Sequence, residues 1–197
     1  LRAGKRWRPC LGRARMAPVR GEECRVDFAG LFSLEGRVAL VTGASGTPVT
    51  ASHASAVCEA LAAELGSRAV AVPLDVAQPD AIAPAFAAAE AAFGAPCDVI
   101  VDNAGIAVTQ PALEHTTEAW DAVTGVNLRG AFLVAQEGAR RLVAAGRPGA
   151  IVTVASILGL RVAAGVAAYA AAKAGLIQLT RALAVELARH RIRINAL

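Results

Sequence analysis

Short apolar runs alternate along this chain with longer segments in which apolar residues recur every three or four positions. The short runs have the length of buried β-strands, and the longer segments have the spacing of helices with one buried face. The runs predict strands at Arg37–Thr42, Ala69–Leu74, Asp98–Asp102, Ile151–Ala155 and Ile192–Asn195. The periodic segments predict helices at Ser52–Leu65, Pro79–Phe93, Thr117 to about Ala145, and Ala167–Arg189.

The predicted strands are apolar throughout, which is typical of a parallel sheet covered by helices on both faces. The sequence therefore predicts an α/β fold, a Rossmann-like doubly wound parallel sheet, within residues 34–197. In such sheets, ligands bind outside the carboxyl ends of the strands. We expect the residues that follow those ends to converge on one crevice: Gly43, Asp75, Asn103 and Ser156.

Positive charge is concentrated at the start of the chain. The first twenty residues contain seven arginines or lysines and no acid, although the formal net charge of all 197 residues is only +4. The remainder has 13 basic against 16 acidic residues, so we expect no nucleic-acid partner. Residues 1–33 are predicted to be a basic, disordered extension, with a transit peptide and an arm for an anionic surface left open as alternatives.

The spacing of cysteines and histidines does not favour a metal site. No C-x-x-C pair occurs, and no histidine lies at ligand spacing from a cysteine. We therefore expect no bound metal, reduced thiols and a cytoplasmic location. Charged residues interrupt every apolar stretch before it reaches the length of about 18 residues that a membrane span needs, so no membrane partner is expected.

The pair Tyr169 and Lys173 is the first candidate for chemistry. A separation of four residues places both side chains on one face of the predicted helix. A free tyrosine exchanges protons poorly near neutrality, and a close ammonium favours its phenolate form. Taken alone, the pair is better explained as a tyrosine packed at a helix boundary and a solvated lysine.

Three further features accompany this pair. Ser156 ends the strand IVTVAS thirteen residues before Tyr169, Asn127 lies in GVNLRG, and DNAG ends the strand before that. Together, in this order, the features resemble the short-chain dehydrogenase/reductase family from about Leu34 to Leu197. The resemblance implies an NAD(P)-dependent oxidoreductase that interconverts a small-molecule alcohol and ketone by hydride transfer.

The resemblance also implies a role for each catalytic position. Tyr169 would be the general acid and base, and Ser156 would hydrogen-bond the substrate oxygen. Lys173 would bind the nicotinamide ribose and favour the phenolate form of Tyr169. Asn127, in a local break of its helix, would hold a water molecule that relays protons.

Cofactor contacts are implied in the same way. Asp75 and Val76 resemble the segment beside the adenine, although Asp75 alone is equally well explained as a turn acid. Asn103, Ala104 and Gly105 resemble the segment that lines the adenine ribose, with Tyr169 and Lys173 on the nicotinamide side. Asp102 stands where the family usually has an asparagine.

The predicted phosphate loop, TGASGTPVT, is half complete. Against the family pattern TGxxxGxG, Thr42 and Gly43 fit, and Ser45 and Gly46 occupy variable positions. Thr47 and Val49 replace the later glycines, and β-branched residues there would crowd a phosphate. The features that separate NAD from NADP are altered or missing, so the cofactor is predicted as either.

Two segments of the family pattern are missing from the sequence. One helix and one strand are absent near the loop; either Ala69–Leu74 replaces the second strand or the join is a sequence break. The family's final strand and substrate segment are absent after Leu197, so the substrate stays open. The alternative function is a non-catalytic fragment that acts at most as a binding partner, and pairing of copies through the two long helices is expected from family habit.

Overall fold

The computed structural model describes residues 34–44 and 51–197, with only the backbone described at 51–55. In these residues, four strands form one parallel sheet, in which they lie in the same order as along the chain. Registered pairs join Leu40 to Ile100, Ile100 to Ile151 and Ile151 to Ile194, so an apolar row crosses the sheet. The strands are β1 (Ala39–Val41), β2 (Val99–Asp102), β3 (Gly149–Thr153) and β4 (Ile192–Ala196).

Helices alternate with these strands along the chain, which confirms the predicted α/β fold. The helices are α1 (Ala51–Leu65), α2 (Pro79–Phe93), α3 (Thr117–Thr124), α4 (Ala131–Ala144) and α5 (Ala167–Leu187). Helix α4 packs against β2 and β3, and helix α5 packs against β4. A π-helical turn, Gly125–Gly130, joins α3 to α4, and short 3-10 turns lie at Gly66–Arg68, Ile157–Gly159 and Ala188–His190.

The core lies between the sheet and the helices. Phe86 of α2, Leu142 of α4, and Ile100 and Ile151 of the central strands have no exposed surface. Burial of each such side chain stabilises the fold by about 1.5–3 kcal/mol relative to an exposed position. This packing fixes the carboxyl ends of the central strands, where the candidate site lies.

One predicted strand is wrong. The segment 69–75 is not hydrogen-bonded into the sheet, although Val72 and Leu74 pack against the core. Pro73 lacks a backbone donor, and Val70 is left 46% exposed, so the segment has neither the hydrogen-bonding capacity nor the burial of an inner strand. The apolar run therefore does not replace a second strand in the described sheet.

The predicted long helix from Thr117 is not continuous. The backbone widens into the π turn between Gly125 and Gly130, and regular α-helix resumes at Ala131. A Cβ atom on Gly130 would lie 2.8 Å from the carbonyl oxygen of Val76, so the glycine permits this close approach. The break surrounds Asn127, where the resemblance implied one.

Some sequence-based predictions fall outside the described residues. These are the basic extension 1–33 and the loop positions Ser45, Gly46, Thr47 and Val49. Within the described part of the chain, no helix is both long and apolar enough to span a bilayer.

Candidate active site

Thr42 joins the ends of β1 and β2. Its hydroxyl accepts hydrogen bonds from the backbone N–H groups of Asn103 at 3.0 Å and Ala104 at 2.9 Å. The same hydroxyl donates to Oδ1 of Asp102 at 2.9 Å. One buried side chain thus fixes the turn that follows the second strand.

Gly43 is the glycine that the turn after β1 requires. Its φ is +65°, and a Cβ atom there would lie 2.7 Å from Cα of Ala104. The Nδ2 atom of Asn103 donates to the carbonyl oxygens of Thr42 at 3.1 Å and Gly43 at 3.2 Å. The amide of Asn103 therefore holds the first turn of the candidate phosphate loop.

Asp75 lies in the turn before α2. Its Oδ1 accepts from the backbone N–H of Ala77 at 2.9 Å, and its carbonyl oxygen accepts from Gln78 at 3.1 Å. The side chain is exposed, whereas Val76 is buried. These local bonds account for Asp75 as a turn acid, and its contact with adenine stays a prediction.

Asn127 is held inside the π turn. Its Nδ2 donates to the carbonyl oxygens of Ile106 at 2.7 Å and Val123 at 2.9 Å. Its Oδ1 is buried and has no hydrogen-bond partner among the described residues. Because a buried acceptor without a donor is unfavourable, this oxygen is suited to bind a water molecule.

Lys173 is 4% exposed, and its Nζ donates to the carbonyl oxygen of Val154 at 2.6 Å. Nζ lies 5.7 Å from the ring centroid of the half-buried Tyr169. A Cβ atom on Gly105 would lie 2.7 Å from Oδ1 of Asn127 and 3.8 Å from Nζ of Lys173. Gly105 therefore lies beside both the side-chain amide of Asn127 and the ammonium of Lys173.

Ser156 follows β3 and begins the 3-10 turn Ile157–Gly159. Its Oγ accepts from the backbone N–H of Leu158 at 3.1 Å, and the residue is half-buried. A Cβ atom on Gly159 would lie 2.9 Å from the carbonyl oxygen of Lys173, so the turn rests against α5. Glycine at this position brings the Ser156 segment close to the helix that bears Tyr169 and Lys173.

Burial shifts the acid–base equilibria of two site residues. It raises the pKa of Asp102 to about 6, against the opposing effects of the Thr42 hydrogen bond and the charge of Lys173. Burial also lowers the pKa of Lys173, and the charge of Asp102 opposes that shift. Two buried groups of opposite charge therefore act on each other in the site.

The sequence left two of these partners without a role. The carbonyl oxygen of Val154 is a backbone group and has no side-chain signature. Asp102 was noted only as a departure from the family pattern, yet an acid that ends an apolar strand is itself a signal, because buried carboxylates need partners. The hydroxyl of Thr42 supplies one.

The fold and this arrangement define the class of protein. A parallel α/β sheet with a glycine turn and polar groups at its carboxyl edge is typical of dinucleotide-binding enzymes. The family model described as short chain dehydrogenase matches residues 37–197, and the chain belongs to this family of NAD- or NADP-binding oxidoreductases.

Curated relatives and solved structures agree with this assignment. The chain is 33% identical over 182 residues to 2-dehydro-3-deoxy-D-gluconate 5-dehydrogenase of Escherichia coli (strain K12), covering 84% of this chain and 72% of the relative. It is 45% identical over 111 residues to human (Homo sapiens) L-xylulose reductase, covering 55% of this chain and 46% of the relative. Several other relatives are matched over less than half of their length.

The structure of 3-ketoacyl-(acyl-carrier-protein) reductase from Brucella melitensis, complexed with NADH, is similar with a TM-score of 0.74. The two chains are 34% identical, and the match covers 83% of this chain and 75% of that one.

Proposed function

We propose that this chain interconverts a small-molecule alcohol and ketone, with Tyr169 as the general acid and base. The observation that carries this proposal is the environment of Lys173. Its buried ammonium is fixed by the carbonyl oxygen of Val154 and lies 5.7 Å from the centroid of the Tyr169 ring. A positive charge at that place would stabilise the negative charge that develops on the tyrosine oxygen as its proton is transferred.

The proton steps follow from the four polar side chains. During reduction, the Tyr169 hydroxyl donates its proton to the substrate carbonyl oxygen, and during oxidation the phenolate takes the hydroxyl proton. Ser156 donates a hydrogen bond to the same oxygen and orients it. The Oδ1 atom of Asn127 is buried and lacks a hydrogen-bond partner among the described residues, so it would hold a water that connects Lys173 to solvent.

The cofactor would supply the hydride, and the chain would supply position and charge. Gly43 fits this task, because it has no side chain at a turn position where the left-handed backbone and the close contact with Ala104 leave no space for a Cβ atom. The residues proposed to hold NAD or NADP are Thr42, Gly43, Ser45, Gly46, Asp75, Val76, Asn103, Ala104, Gly105, Tyr169 and Lys173.

A titration with NADH and with NADPH tests the cofactor assignment directly. Nicotinamide fluorescence is followed as the purified chain is added, and a saturable change with either dinucleotide is expected. The comparison of the two also decides between NAD and NADP. Absence of binding of both at millimolar concentration would remove the enzyme proposal for this chain.

Tyr169→Phe tests the assigned chemistry. The substitution removes only the hydroxyl, so we expect cofactor affinity to be nearly unchanged and turnover to fall about 10²–10⁴-fold. Ser156→Ala is expected to lower turnover as well, whereas Ser67→Ala, an exposed hydroxyl in the turn Gly66–Arg68, serves as the matched control. Loss of binding together with turnover in Tyr169→Phe would contradict the role of the tyrosine.

Pairing of two copies through the two long helices is a second proposal. A groove of about 980 Å³ runs beside the π turn and α5, and it includes the side chains of Leu128, Phe132 and Leu179. Charged residues also line this groove, among them Asp121 and Arg129, and its apolar part would suit the helix-to-helix contact expected from the family. Sedimentation of the chain and of Phe132→Glu is expected to show a dimer or larger assembly that the acidic substitution weakens; a monomer at every concentration would overturn it.

A further inference from the structure

A cavity lined by arginines lies at the end of the sheet opposite the candidate active site. It is found beside the first residues of β3 and β4, whereas the candidate site lies at the carboxyl ends of the strands. Its volume is about 210 Å³. The side chains on its wall are basic or apolar, and they belong to Leu142, Val143, Arg147, Arg189, His190 and Arg191.

The three guanidinium groups of this cavity have unused donors. Nη2 of Arg147 donates to Oδ2 of Asp98 at 3.2 Å, and Nη2 of Arg191 donates to the carbonyl oxygen of Gly146 at 3.4 Å. Nε of Arg189 donates to the neighbouring imidazole at 3.0 Å. Because a guanidinium has five N–H donors, most of these donors have no acceptor among the described residues.

Positive charge exceeds negative charge around the cavity. Among the described residues, Asp98 is the carboxylate that pairs with a cavity arginine, and it also pairs with Arg37. Helices α4 and α5 end nearby, and each helix end contributes about half a negative charge. These negative charges therefore leave roughly two positive charges of the arginine cluster uncompensated.

Arg191 occupies its place on the cavity wall at the cost of backbone strain. Its φ of 59° makes it the one non-glycine residue with a positive φ in the described part of the chain. Its single hydrogen bond, of 3.4 Å, does little to offset that strain. Strained backbone positions concentrate at functional sites, and a role for this guanidinium in the cavity accounts for an arginine where glycine would be unstrained.

We propose that this cavity binds a phosphate group, either of free phosphate or of a phosphomonoester, through the guanidinium groups of Arg147, Arg189 and Arg191. The planar guanidinium donates pairs of hydrogen bonds that match the oxygens of a phosphate. Leu142 and Val143 provide an apolar wall for the organic part of a phosphomonoester. The site is independent of the proposed function, because a dinucleotide would bind at the opposite end of the sheet.

Titration of the purified full chain with inorganic phosphate tests the site. Ionic strength is held constant with sodium chloride, so that general screening of charge does not change. We expect a saturable rise in Tm, because a ligand that binds the folded state stabilises it. Calorimetric titration gives the Kd, and no saturable response in the millimolar range would overturn the proposal.

Arg191→Gly is the decisive variant, because it separates binding from folding. We expect its Tm without phosphate to rise, since the backbone strain is relieved, while its Kd for phosphate increases at least about tenfold. Arg189→Gln leaves the backbone unchanged and is expected to weaken binding by a similar factor. Arg181→Gln removes the same charge from an exposed position outside the cavity and is expected to leave the Kd unchanged.

An equal Kd in the wild type and in Arg191→Gly would overturn the proposal, because the phosphate would then be bound elsewhere. Amide NMR signals locate it independently in the unsubstituted chain. We expect phosphate to shift the signals of Arg147 and Arg191 and to leave that of Gly43 unchanged. Shifts confined to Gly43 and its neighbours would place the phosphate at the candidate cofactor turn and would contradict the site.

Phenyl phosphate distinguishes the two sources of the phosphate group. Tighter binding than that of inorganic phosphate, reduced by Val143→Ser, assigns the cavity to a phosphomonoester whose organic part rests on the apolar wall. Equal affinity for the two probes assigns it to free phosphate. Binding of phenyl phosphate that is insensitive to Arg191→Gly would overturn the site for both.

Discussion

Because Gly105 has no side chain, the side-chain amide of Asn127 can occupy the space beside it. A Cβ atom on Gly105 would lie 2.7 Å from Oδ1 of Asn127, closer than side-chain carbons approach an oxygen without displacement. The amide cannot retreat freely, because its Nδ2 is bonded to the carbonyl oxygens of Ile106 and Val123. The glycine after β2 and the asparagine of the π turn are therefore sterically coupled.

Gly105→Ala is expected to displace this amide and lower turnover at least tenfold, which corresponds to about 1.4 kcal/mol in activation free energy. Steady-state kinetics measure the effect. Gly125→Ala is the matched control, because a Cβ atom there meets nothing within 4 Å. If displacement of the amide causes the loss, Asn127→Ala should add little to Gly105→Ala; additive losses would argue against the coupling.

Local chemistry made some elements predictable from the sequence. Helix α2 begins with Pro79 at its first turn and ends at Gly94, which has a left-handed φ of 66° and donates its N–H to the carbonyl oxygen of Glu90 at 2.8 Å. Both signals act within one turn of the helix, so the predicted bounds Pro79–Phe93 are confirmed. The pair of Tyr169 and Lys173 could likewise be recognised, because a separation of four residues places two side chains on the same face of a helix.

Non-local contacts set the features that the sequence did not predict. The segment 69–74 has an apolar pattern, but a strand also needs a hydrogen-bonding neighbour, and composition does not show whether one is present. The ammonium of Lys173 donates to the backbone carbonyl oxygen of Val154, and a pattern of side chains does not reveal a backbone acceptor. The break of the helix around Asn127 was implied by the family resemblance and not by the apolar pattern, and one hydrogen bond in it joins Asn127 to Ile106, which is 21 residues away.

Asp98 ties the start of β1 to the segments before β2 and β3. Its carboxylate accepts from Nη1 of Arg37 at 2.9 Å, from the backbone N–H of Val38 at 3.1 Å and from Nη2 of Arg147 at 3.2 Å. Asp98→Asn is expected to lower the free energy of unfolding by about 2 kcal/mol at pH 7, since hydrogen bonds to a buried charge are lost. Equilibrium urea unfolding measures the change.

The effect of Asp98 should depend on pH in a defined direction. Burial alone would raise the pKa of Asp98, but the bonds from Arg37, Val38 and Arg147 outweigh it, so the pKa is lowered. A carboxylate of this kind contributes stability above its unfolded pKa of about 3.9, and the contribution is lost as pH falls through the lower folded pKa. Wild type and Asp98→Asn should therefore converge in acid; a constant difference would exclude the charged bonds as the cause.

Arg191 occupies a left-handed backbone position. Its φ is 59° and its ψ is 30°, a region that costs an L-residue about 1 kcal/mol and glycine almost nothing. Its side chain donates one long hydrogen bond, of 3.4 Å, to the carbonyl oxygen of Gly146, which compensates little for the backbone strain. Arg191→Gly is expected to raise the free energy of unfolding by up to about 1 kcal/mol.

Thermal unfolding checks this expectation, with a gain in Tm of about 2–4 °C for a chain of this size. Arg189→Gly is the matched control, since Arg189 lies in the 3-10 turn Ala188–His190 and glycine there should lower stability. Destabilisation by both substitutions would show that backbone strain at Arg191 is not the controlling factor.

Gly138 permits close packing of α4 on the sheet. A Cβ atom there would clash with Cδ1 of Ile100 and lie 3.2 Å from Cζ of Phe86, and both of these side chains are fully buried. Gly138→Ala gains about 1 kcal/mol in helix propensity, but overpacking of about 1–3 kcal/mol is expected to outweigh it and lower stability.

Ile100→Val removes the Cδ1 atom that the new methyl group meets. Alone, the valine is expected to cost about 1 kcal/mol through the cavity that it leaves. Combined with Gly138→Ala, the methyl group at residue 138 fills that space, so the double variant should be more stable than the sum of the two single changes predicts. Urea unfolding of the wild type, the two single variants and the double variant measures this departure from additivity, which is the coupling energy. A coupling energy of zero would mean that α4 moves as a unit and that Ile100 does not limit its approach to the sheet.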